Sequence, residues 1–142
     1  MRLETVKNDL REHEGFRSHA YQDHLGYWTI GYGRLVDERK GGGITIPEAE
    51  IMLENDILKK EQQLKNELHY WDRLPHQVQR VLINMCFQLG LSGLMKFKKM
   101  LSAIQQGQYS QAAEEGLDSL WARQTPVRAI QVMDWLRHAT DT

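Results

Sequence analysis

Between Pro75 and Leu89 the chain offers water almost no polar face: Val78, Val81, Leu82, Ile83, Met85, Cys86, Phe87 and Leu89 surround any helix built there. A helix that is apolar all round has to be enclosed by other elements. The sequence that follows supplies them. Phe97, Met100, Leu101 and Ile104 recur at helical spacing, Gly107 marks a stop, Tyr109, Ala112, Ala113 and Leu117 suggest a further turn or two, and Val127, Ile130, Met133 and Leu136 make a final amphipathic helix. With 142 residues and 41% hydrophobic content the chain can bury such a core, most simply as a single domain, residues 1–142. Asn84, inside the apolar run, requires hydrogen-bond partners and reads as a satisfied core amide. Trp121 reads as a packing anchor.

The front of the chain follows a different pattern. Leu3, Val6 and Leu10 share one helical face, and Gly15 is placed to end that helix, which leaves Glu14 at its C-terminal edge. Phe16 to Tyr21 and Tyr27 to Tyr32 are rich in β-forming residues and flank Asp23-His24-Leu25-Gly26, a hairpin turn. Glu14 and Asp23 then face one cleft, with Thr29 on the returning strand. Hydrolysis of a glycosidic bond needs one neutral carboxyl to protonate the leaving oxygen and one ionised carboxylate on the other face of the sugar. A carboxyl at a helix C-terminus, against a partly apolar wall, is favoured in its neutral form, whereas one in a polar turn stays an anion. Thr29 adds a hydroxyl able to hold a water.

Residues 34–43 read as a polar loop ending in Gly41-Gly42-Gly43; no Gly-Lys-Ser/Thr follows, so a phosphate-binding loop is set aside. Thr45-Ile46-Pro47-Glu48 is a capping box that opens a long helix, with Ala49, Met52, Leu53, Ile57, Leu64 and Leu68 as its apolar stripe.

A net charge of −1 gives no bulk attraction to nucleic acid or to anionic lipid. No stretch is long and apolar enough to cross a membrane, and the charged N-terminus carries no signal-peptide run, so synthesis in a reducing cytoplasm is expected. The single Cys86 has no internal partner and reads as a small buried hydrophobe. Six histidines raise the question of a zinc amidase, but there is no His-Glu-x-x-His, and His19 and His24 read as exposed hairpin residues. Ser92 lies in Gly-Leu-Ser-Gly, which is not a nucleophile elbow. No metal and no cofactor is expected.

Glu14, an Asp nine residues later and a Thr six residues after that form a pattern that resembles the phage-type lysozymes. The resemblance extends over nearly the whole chain through EGFRSHAYQD, GYWTIGYGRLV, INMCFQLG and LWARQTPVRA, in that order. It implies an α+β, lysozyme-like fold: a small β-hairpin lobe and a mainly helical C-terminal lobe, about residues 12–55 and 56–142 plus the N-terminal helix, joined by the long helix, with the active site between them. It implies cleavage of the β-1,4 bond between N-acetylmuramic acid and N-acetylglucosamine in peptidoglycan by inversion, with Glu14 as general acid, Asp23 as the carboxylate that activates water and Thr29 positioning that water. It implies substrate contacts at Leu35, Phe87 and Gln88, with ordinary packing as the rival for Phe87, and a pairing of Asp56 with Arg34, against which stands a solvated acid on a helix face. Two positions that contact sugar in some relatives fall on Met100 and Glu115. The expected partner is the peptidoglycan glycan strand, met by a monomer that leaves the host bacterial cytoplasm with the help of a holin. Alternatives of other classes are a non-catalytic peptidoglycan-binding module and a lytic transglycosylase. A free endolysin, a virion-borne domain and a prophage remnant stay open, as do the peptidoglycan chemotype and the effect of the short 34–43 loop.

Overall fold

The computed structural model describes residues 2–36 and 43–140. Seven α-helices and one three-stranded antiparallel sheet occur among them, an α+β architecture. By compactness the chain divides into two units, Met1–Met52 and Leu53–Thr142.

In the first unit α1 (Leu3–Glu14) ends where the sequence places its end. Gly15 takes φ 68°, and its amide donates to the Arg11 carbonyl. The sheet follows, with β1 (Arg17–Gln22), β2 (Trp28–Gly31) and β3 (Arg34–Leu35) in sequence order. Tyr21 and Gln22 pair with Thr29 and Trp28, and an irregularity lies in β1 between Arg17 and Tyr21. The third strand corrects the reading of Arg34 and Leu35 as loop: they pair with Ile30 and Thr29 across a turn containing Gly31 and Gly33, both at positive φ. Such φ values suit glycine because it has no Cβ to clash. Residues 37–42, with most of the glycine run, lie outside the described residues.

The long helix α2 (Ile46–Glu67) begins with the expected box. The Thr45 amide donates to Glu48 Oε1 at 3.0 Å, and the Glu48 amide donates to Thr45 Oγ1 at 3.4 Å. Arg34 pairs with Glu48, the acid of that box, a contact inside the first unit. Asp56 is an exposed acid on α2.

The second unit is built around α3 (His76–Met95), opened by Pro75 as N-cap. Val78, Val81, Leu82, Met85 and Cys86 are all fully buried. Gly90, at φ 75°, breaks the helical path, and one more turn and a half follows beyond it. Around α3 stand α4 (Lys98–Gln105), α5 (Tyr109–Leu117), α6 (Leu120–Gln124) and α7 (Pro126–Arg137), each giving side chains to one core that also takes Leu64 and Leu68 from the end of the α2 stripe. Contact is close enough that a Cβ at Gly116 would strike the Met133 sulfur. Asn84 is satisfied as expected: Arg128 Nε donates to its Oδ1 at 3.1 Å, and Arg128 also donates to its carbonyl at 3.3 Å.

Candidate active site

A cavity of about 560 Å³ opens on the sheet of the first unit, lined by Glu14, Arg17, Tyr21, Gln22, Asp23, His24, Thr29, Gly33 and Leu35. Its floor follows from register. Thr29 stands on the central strand, opposite Tyr21 on one side and Leu35 on the other. Directly opposed residues of antiparallel strands project to the same face, so Tyr21, Thr29 and Leu35 make one row. Thr29 is the buried polar residue of that row, 3% exposed, and its hydroxyl donates to the Tyr27 carbonyl at 3.2 Å.

Asp23 is held by the turn it starts. Its Oδ1 accepts the amides of Leu25 and Tyr27, each at 2.9 Å, while its own amide donates to the Tyr27 carbonyl. This side-chain mimic of a backbone turn is a habit of Asp and Asn. The Tyr27 amide, then the Leu25 amide and the His24 charge, outweigh partial desolvation and hold the Asp23 carboxyl below the usual range. Both turn amides use Oδ1, so Oδ2 is the oxygen left to other tasks.

Glu14, the last residue of α1, lies against Gly33. A Cβ built on Gly33 would come within 2.7 Å of the Glu14 carboxyl carbon. Gly33 is therefore required twice, once by its φ of 71° and once by the acid packed on it. The lining is mixed, polar groups slightly outweighing apolar ones.

Glu14, Asp23, Thr29 and Leu35 thus share one cavity. Phe87 and Gln88 belong to the second unit. Phe87 is 43% exposed beside a separate cavity of about 420 Å³ that it lines with Ile57, Ile83, Asn84 and Arg128. Gln88 is occupied at both ends of its amide: Oε1 accepts from the Trp121 indole at 2.9 Å, and Nε2 donates to the Thr125 hydroxyl at 3.4 Å. Trp121 is 5% exposed and meets Phe97 edge-on with ring centres 6.0 Å apart, a packing anchor as its sequence context suggests. Met100, 1% exposed, and Glu115 line a further cavity of about 560 Å³ with Trp121.

Sequence reasoning missed Arg17, Tyr21, Gln22, His24 and Gly33 as cavity residues. Tyr21, near the end of β1, stands two residues before Asp23, a spacing that would have found the tyrosine; nothing in the sequence alone shows Gly33 beneath Glu14. Among the described residues no group of three or more His, Cys, Asp or Glu is disposed to hold a metal ion.

Residues 11–132 match the phage lysozyme family, so the chain belongs to that family and to the lysozyme-type peptidoglycan hydrolases that it comprises. The fold is accordingly lysozyme-like. The chain is 32% identical, over 87% of its length, to the pre-baseplate central spike protein of Enterobacteria phage T4, of which it spans only 26%. It is 26% identical to probable T4-type lysozyme 1 of Dictyostelium discoideum, with 97% of this chain and 96% of that protein covered. An endolysin of Acyrthosiphon pisum secondary endosymbiont phage 1 is 28% identical over 75% of this chain and 70% of its own length. No helix among the described residues is long and apolar enough to cross a membrane.

Proposed function

We propose that the protein is a muramidase that hydrolyses the β-1,4 bond between N-acetylmuramic acid and N-acetylglucosamine by inversion. The observation that carries this reading is the shared cavity of Glu14, Asp23 and Thr29, in which the Asp23 pKa is lowered and one of its oxygens is tied to the turn while the other has no hydrogen-bond partner among the described residues. Glu14 gives its proton to the leaving glycosidic oxygen. Asp23 Oδ2 takes a proton from a water held with the help of the Thr29 hydroxyl, and that water attacks the anomeric carbon from the face opposite the leaving group. The floor at Leu35 carries a sugar ring, and Phe87, exposed on the helical unit, is the substrate contact proposed for that unit.

The biological setting proposed is phage-driven lysis by a monomer released to the wall through a holin. The endolysin relative favours that setting, and the spike relative favours a virion-borne counterpart.

The test is turbidity loss of purified peptidoglycan with mass analysis of the fragments. Hydrolysis leaves reducing ends that carry one added water, whereas a transglycosylase leaves anhydro ends. Glu14→Gln and Asp23→Asn are each expected to lose about 10²–10⁴-fold in rate, the usual worth of an acid–base group. Near-normal lysis by either folded variant would remove its assigned role, and a folded wild type that binds but never cuts would leave a binding module.

A further inference from the structure

Arg17 is placed in the same cavity but has no part in the acid–base step. Its guanidinium stands 4.6 Å from the centre of the Tyr21 ring, on the strand face that carries the floor. That contact holds the head over the cavity without using an acceptor, because a cation is attracted to the ring face itself. Among the described residues the Arg17 guanidinium forms no ion pair and no hydrogen bond, although Glu14 and Asp23 line the same cavity. A cation oriented by a ring, with its donors free, in a cavity that already holds two acids, is set to receive an anion from outside. Arg is suited to that task, because its planar fork offers parallel N–H groups that match a carboxylate.

We propose that Arg17 is a specificity-determining residue that binds a free carboxylate of the peptide stem on the glycan strand. The inference rests on the muramidase reading for its substrate. The sugar backbone of such a strand is neutral, and its anions are the stem carboxylates. A chain of net charge −1 gathers an acidic polymer only by local cations, and an incoming carboxylate also has to be shielded from Asp23. Arg17 supplies both.

The experiment uses the Glu14→Gln protein, which holds a strand without cutting it. Calorimetry compares soluble, uncross-linked peptidoglycan strands carrying free stem carboxylates with the same strands after amidation of those carboxylates. The parent is expected to prefer the acidic strands by about five- to tenfold, the scale of one charge-assisted pair at a solvated site. Adding Arg17→Ala abolishes the preference, and adding Arg17→Lys, which keeps the charge and loses the fork, retains part of it. An unchanged preference in Arg17→Ala, or an equal loss on both strand types, overturns the proposal. Hydrolysis by the wild type is read separately. Binding with this preference but no cutting would sink the muramidase reading and leave the carboxylate site standing; cutting with the preference intact in Arg17→Ala would sink the site alone.

Discussion

Asp23 makes the hairpin with one carboxylate oxygen and is available for chemistry with the other, so substitutions there separate the two tasks. Asparagine retains an Oδ1 acceptor for the Leu25 and Tyr27 amides. Asp23→Asn should therefore keep the hairpin while losing lysis, and Asp23→Ala should lose both. Faster hydrogen exchange at the Leu25 and Tyr27 amides in the alanine variant alone is the measurement. The depressed Asp23 pKa also fixes a sign with pH. The folded state binds its proton less readily than the unfolded chain, so the stabilisation is present above the ordinary Asp range near about 3.9 and is lost as pH falls through the lower folded value. Hairpin amide protection should accordingly persist through mild acid and fail only below about pH 4. Gly33 adds a third expectation at this scale. Gly33→Ala should cost about 1–2 kcal/mol from its left-handed backbone, and should slow lysis by more than the melting shift explains, because the new methyl displaces the Glu14 carboxyl.

Among the elements, the interior link of α3 to α6 is the most exacting. Gln88→Ala would strip the buried Trp121 indole of its acceptor and should lower stability by about 1–3 kcal/mol. Gln88→Glu keeps an acceptor there and should lose less, which urea unfolding of the two variants will show. Residues 33 and 37 positions away in sequence hold this amide, and no periodicity announces such partners. What the sequence did reveal was local: the end of α1 at Gly15, the Asp23 turn, the Thr45–Glu48 box and the apolar girth of α3. The acids and Thr29 of the candidate site were legible for the same reason, since their spacing falls within one helix end and one hairpin. Strand β3 was not, because a two-residue strand of Arg and Leu has no alternation to read and exists only through its pairing with Ile30 and Thr29. The Arg34–Glu48 pair, the seat of Glu14 on Gly33 and the Arg17–Tyr21 contact likewise depend on the folded backbone.

For the molecule as a whole, the buried apolar side chains of the described residues form one cluster from Leu64 to Leu136, with Cys86 fully enclosed in it. Burial also pushes the Cys86 thiol up, so the reactive thiolate is scarce as well as hidden. A thiol reagent should label the native protein only at the rate at which the helical unit opens, and labelling should accelerate in step with loss of helical circular dichroism as denaturant is added. Prompt labelling in buffer would contradict the enclosed core. The chain carries this one sulfhydryl and no intramolecular cross-link. A move from reducing to oxidising surroundings therefore changes no covalent bond in the folded protein, and neither glutathione nor air should shift its melting point.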